Sequence, residues 1–249
     1  FQQIYNVVDT VIVGKFVSTE ALAAVGSTGT INFMILGFMT GLMAGITVLT
    51  SQRFGAGDMN GMRKSVVSAG MIALAATIIL TAISLLGMHR LLVLMNTPDD
   101  IFDDAYRYIM IICAGILVQA LYNLFACILR ALGNSKVPLY FLLFSASMNI
   151  VLDLVSIIVL KMGVAGAAYA TVISQGVSAV LCLIYIIKKV PILRLNKEDL
   201  HVESRLVKNQ LSVGLPMAFQ YSITAIGTTM VQMALNTLGS TYVAAFTAA

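Results

Sequence analysis

Two carboxylates, Asp9 and Asp153, stand inside long apolar runs, while the other nine acidic residues fall in polar loops. A charged group in the middle of a membrane helix costs about 2.5–3.5 kcal/mol on insertion scales, so such groups usually serve a purpose. Proton transfer and cation binding are the chemistries open to them. Helix packing and snorkelling to the outer interface are the plainer alternatives.

Depth groups these residues. Asp9 lies five residues before Gly14, where the first run ends, and Asp153 eight before Lys161. At about 1.5 Å per residue, both sit about 8–12 Å below the same end of their helices. Thr171 enters the next run from that side and reaches a similar depth. Asn149 precedes Asp153 by one helical turn and shares its face. Two carboxylates, an amide and a hydroxyl make an oxygen-rich cavity. It suits a hard cation such as Na⁺, and it suits a proton equally, since close carboxylates titrate as a pair. Gln119, Asn123, Tyr5 and Asn6 could extend this network or simply bond helix to helix.

The elements that must position these groups are membrane helices. Of the 249 residues, 59% are hydrophobic and 10% charged, and the mean hydropathy is +0.94. Soluble domains carry about 25% charged residues. Seven spans are predicted, at residues 1–17, 22–50, 66–88, 106–132, 137–160, 164–187 and 207–238, with the start of an eighth. The expected fold is all-α: a polytopic helical bundle with a six-helix lobe and the start of a second, pseudo-symmetric lobe. Residues 1–190 form the first lobe, 191–206 a cytoplasmic linker with room for an amphipathic surface helix, and 207–249 the start of the second.

Charge orients the bundle. Arg53, Arg63, Lys64, Arg130, Lys136, Lys188, Lys189, Arg194, Lys197, Arg205 and Lys208 fall on one face, against Lys15, Arg90, Arg107 and Lys161 on the other. The richer face is cytoplasmic by the positive-inside rule. This asymmetry accounts for the net charge of +4 without nucleic acid as a partner. The turn holding Asp99, Asp100, Asp103 and Asp104 reads as an outer loop, and His89 and His201 also read as loop residues.

Enzyme chemistry finds no support. HExxH, GxSxG and P-loop patterns do not occur. Cys113, Cys127 and Cys182 lie in apolar runs with no metal or disulfide spacing and read as small core residues. Gly37, Gly41 and Gly45 form a small-residue stripe that reads as a helix-packing face. A short similarity, Leu22-Ala-Ala-Val25 against Val243-Ala-Ala-Phe246, hints at an internal repeat 221 residues long. At that offset Asp9 falls opposite Met230, so the carboxylate is not duplicated. The chain opens on Phe1 and stops at Ala249 inside apolar runs, which reads as truncation at both ends.

Several segments resemble the multidrug and toxic compound extrusion family. They are Asn6-Val-Val-Asp9-Thr-Val-Ile-Val-Gly14, Ser51-Gln-Arg-Phe-Gly55-Ala-Gly57-Asp58, Arg130-Ala-Leu-Gly133-Asn-Ser-Lys136-Val-Pro138, Asn149-Ile-Val-Leu-Asp153, Gly163-Val-Ala-Gly166-Ala-Ala-Tyr-Ala-Thr171 and Gly214-Leu-Pro216. Their order spans essentially the whole chain. The resemblance implies a twelve-helix exporter in the bacterial plasma membrane, here lacking helices eight to twelve. It would exchange drugs or organic cations for Na⁺ or H⁺, as a monomer and without a cofactor. Asp9, Asn149, Asp153 and Thr171 match the coordinating positions of relatives with an ion site in the first lobe. Asn123 and Tyr5 match cavity-lining positions. A flippase for a lipid-linked precursor is the alternative within related families, though it would favour a basic cavity. A non-transporting membrane scaffold or receptor is the alternative outside them.

Overall fold

The computed structural model describes residues 2–200 and 203–248, with the side chains of residues 2–7, 197 and 198 left out of the description. Nine α-helices occur among the described residues: α1 (Gln2–Phe16), α2 (Thr19–Gly55), α3 (Met59–Leu94), α4 (Asp99–Ala114), α5 (Ile116–Ala131), α6 (Lys136–Leu154), α7 (Val164–Lys189), α8 (Ser204–Asn236) and α9 (Ser240–Ala248). Helices α2, α3, α6 with its extension to Val159, and α7 are long and apolar enough to cross a membrane. The pair α4 and α5, bent by 47°, makes a fifth crossing when taken as one span.

The burial pattern is that of a protein whose solvent is lipid. Leu86 is 85% exposed, whereas Asp9 and Asp153 are 0% exposed. Large apolar side chains cover much of the outer surface around an apolar core, while two carboxylates are fully buried, as expected where lipid surrounds the helices.

Helix α2 is the central post. It packs against α1, α3, α4, α5, α8 and α9. Its glycine stripe carries the closest of these contacts. A Cβ on Gly41 would stand 2.6 Å from the Met217 carbonyl oxygen, and one on Gly45 would stand 2.5 Å from the Gly214 Cα. Only glycine lets the α2 and α8 backbones approach this closely. Gln210 reinforces the seam, its amide nitrogen donating to the carbonyls of Ile46 on α2 and Ser65 on α3, each at 2.9 Å.

The two faces assigned by charge are two ends of the bundle. On the basic side, Arg63 of α3 pairs with Asp199 of the linker at 3.1 Å. On the other side, the Asn236 amide donates to the Met95 carbonyl at 2.8 Å, and the Ser240 hydroxyl bonds to Asp100. The two alanine-rich segments of the suspected repeat meet there. Ala23, Ala24, Val243 and Ala244 share one buried cluster with Ile101 and Ala105.

Several boundaries differ from those expected. The fourth span is two helices hinged at Gly115, where a Cβ would come within 2.4 Å of a Val172 methyl group. Its aspartates do not form a loop: Asp99 and Asp100 open α4 behind Pro98, where negative charge favours a helix N-terminus. His89 lies inside α3, its ring edge-on to Phe102 and Tyr106 at 5.3 and 5.9 Å. Asp58 caps α3 by accepting from the Gly61 amide at 2.9 Å, which starts that helix at Met59. The linker forms two 3₁₀ turns, Pro191–Leu193 and Lys197–Leu200, in place of an amphipathic helix. Pro191 lacks the amide that a continuing α-helix would use. His201 lies outside the described residues.

Candidate functional site

Three helices converge on the buried carboxylates. Helix α6 brings Asn149 and Asp153, α7 brings Thr171, and α1 brings Asp9. Two serine bonds fasten α6 to α7: Ser145 donates its hydroxyl to the Ser174 carbonyl, and Ser178 donates to the Phe141 carbonyl at 3.1 Å. Ser145, Asn149 and Asp153 repeat every fourth residue, so the face that is fastened is also the face that carries the site.

Beyond Asp153 the helix widens into a π-helical turn, Val155–Val159. Such turns break the regular register of a helix and often sit at functional positions. The return into α7 passes Gly163, whose φ of +58° suits glycine alone. At Gly166 a Cβ would stand 2.9 Å from the Ser156 Cβ, so α7 closes directly on the π-helical turn.

The Thr171 hydroxyl donates to Asp9 Oδ2 at 2.6 Å and accepts a longer bond from the Asn149 amide at 3.4 Å. The Asp9 and Asp153 carboxyl groups lie within hydrogen-bonding reach of each other. With both ionised, neither can donate. Asp9 Oδ1, Asn149 Oδ1 and both Asp153 carboxylate oxygens are buried without a hydrogen-bond partner. Buried polar atoms are nearly always partnered, so four orphaned acceptors in one place is a demand for positive charge.

All four residues of the expected ion site thus come together. Asn123 is buried on α5, its amide donating to the Gln119 carbonyl of its own helix at 2.9 Å. Tyr5 belongs to α1, but its side chain lies outside the described residues. Tyr108 was not singled out from sequence. It is 2% exposed on α4 and lies in electrostatic range of both carboxylates. Nothing in its local sequence distinguishes it from an interfacial tyrosine, and only the packing of α4 places it there. Among the described residues, no group of three or more Asp, Glu, His and Cys gathers as a zinc site would require.

Residues 1–155 match the MatE family. The chain belongs to the MatE family. It is 32% identical over 246 residues to the probable multidrug resistance protein YpnP of Bacillus subtilis, covering 97% of this chain and 54% of that protein. It is 27% identical to a probable multidrug resistance protein NorM of Thermotoga maritima, covering 92% of this chain and 50% of that one. Among solved structures it resembles a MATE transporter of the MOP superfamily in an inward-facing conformation. The TM-score is 0.93 at 27% identity, over 100% of this chain and 57% of that chain. An outward-facing conformation gives 0.83 over 91% of this chain and 51% of that one. The chain therefore spans about half the length of the MatE proteins it matches.

Proposed function

We propose that this MatE chain carries the cation-coupling site of a multidrug exporter, which expels organic cations in exchange for Na⁺ or H⁺ across a bacterial plasma membrane. The observation that carries the reading is the set of four buried, donorless oxygens at Asp9, Asn149 and Asp153. A Na⁺ ion would take these oxygens as ligands, while a proton would bridge the two carboxylates. Thr171 would act beside them by orienting Asp9. Asn123 and Tyr5 would line the same cavity.

Exchange follows from competition. A cationic drug and the coupling ion would be drawn to one negative pair, so binding of either disfavours the other. Neutralising Asp9 also changes the strength of its bond to Thr171, and hence how α1 docks on α7. An ion that binds one docking arrangement better shifts the population toward it. Residues 1–190 would form the first lobe, 191–206 the linker and 207–249 the start of the second, acting as a monomer. The names of the relatives and the acidic sign of the buried pair both weigh against flipping of an anionic lipid-linked precursor.

The test is efflux of a fluorescent organic cation by the full-length protein, under a Na⁺ gradient or a pH gradient alone. Efflux under at least one gradient, lost in well-expressed Asp153→Asn, is expected. Undiminished efflux in that variant would overturn the assignment.

A further inference from the structure

A second cavity, of about 350 Å³, opens between α2, α5 and α8 toward the basic end of the bundle. Its wall has the opposite polarity to the carboxylate site. Thr40, Ala44, Thr47, Val48 and Ser51 line it from one face of α2, with Cys127 and Arg130 from α5 and Tyr221 from α8.

Arg130 is the charge in this wall. Its guanidinium turns back along α5, and Nη2 donates to the buried Cys127 Sγ at 3.0 Å. A thiol is a weak acceptor, and a guanidinium offers five donors in a rigid fork. Among the described residues the ion pair formed joins Arg63 to Asp199, and no described carboxylate lies in salt-bridge range of Arg130. No acidic residue is among the described residues that line the cavity. The Ser51 hydroxyl lies on the same wall, while Ala44, Val48 and the Tyr221 ring supply apolar surface beside it. Arginine, with its planar fork of donors, is a favoured side chain for binding phosphate.

We propose that this cavity binds the phosphate group of an amphiphile, with Arg130 as its principal contact and the Ala44–Val48 wall against the apolar part. The chemistry is shared by a phospholipid headgroup and by a free phosphate, and the two sources are separable by experiment.

The test uses the purified full-length protein and its Arg130→Gln and Arg130→Lys variants, each checked for a single size-exclusion peak. The probe is dihexanoyl-phosphatidylglycerol, compared with phosphate-free dihexanoylglycerol and with inorganic phosphate as competitor, read as a dissociation constant. The wild type is expected to bind the phospholipid about tenfold or more tightly than Arg130→Gln, with Arg130→Lys between them because it keeps charge but loses the fork. Competition by inorganic phosphate would show that the oxyanion alone suffices. Lack of competition, with Arg130 dependence intact, would assign the site to lipid. Equal affinity in wild type and Arg130→Gln, equal binding of the phosphate-free lipid, or no binding by the folded wild type would each overturn the proposal.

Discussion

Thr171 on α7 reaches across 162 residues of sequence to donate a 2.6 Å hydrogen bond to Asp9 on α1. This bond ties the first helix to the α6–α7 pair, whose Asn149 and Asp153 carry the other three unpartnered oxygens. Helix α1 meets α6 and α7 along a modest surface, while α2 and α8 share the most extensive packing in the molecule. The α2–α8 pair is thus the frame of the bundle, and the site lies outside it on α1, α6 and α7.

Removing that bond is expected to weaken the site without dismantling it. A hydrogen bond to a charged group contributes about 1.5–3 kcal/mol, so Thr171→Val should lower coupling-cation affinity by about tenfold or more. Thr171→Ser keeps the hydroxyl and should stay within a few-fold of wild type. Cation titration of the purified full-length proteins checks both.

The glycine stripe makes a graded test of the frame. Gly41→Ala and Gly45→Ala place a methyl group 2.6 and 2.5 Å from α8 backbone atoms, whereas Gly37→Ala meets Tyr221 Cβ at an ordinary 3.7 Å. Overpacking against rigid backbone costs about 1–3 kcal/mol. The first two variants should unfold at lower temperature in detergent, and the third should match wild type.

Gln210 satisfies two carbonyls on two helices with one amide group. Its replacement by Leu removes both bonds from a fully buried position. The expected loss is about 1–3 kcal/mol of stability, seen as a reduced melting temperature. Arg63→Gln, at a partly exposed ion pair, should cost less than about 1 kcal/mol.

Much of the site was legible from the chain alone. Asp9 and Asp153 were conspicuous because nothing else acidic stands in an apolar run, and counting residues from the outer ends placed Thr171 beside them. The glycine stripe read as packing because its spacing admits little else, and α8 lies against it. The bend at Gly115 was not legible, since it arises from Val172 on a distant helix. The same holds for Tyr108, whose part is assigned by neighbours rather than by its own segment. The start of α4 was misplaced because aspartates read as loop residues, although they also favour helix N-termini. The Arg130 cavity needs three helices in place before it exists.

Cation binding should weaken as pH falls. Protonating either carboxylate removes ligand charge from the site, so affinity for Na⁺ or an organic cation declines in the acidic direction and recovers on return. Binding measured across a pH series on the wild type checks the sign. Affinity that rises toward acid would point to a different set of ligands.

The most direct test of the central claim is cation binding itself, read as Na⁺ uptake together with proton release on drug binding. The full-length wild type would be compared with Asp9→Asn, Asp153→Asn and the double variant. The expected result is binding or proton release in the wild type and loss by about tenfold or more in each folded variant. Unchanged Na⁺ uptake and proton release in the double variant would contradict a coupling site built on Asp9 and Asp153.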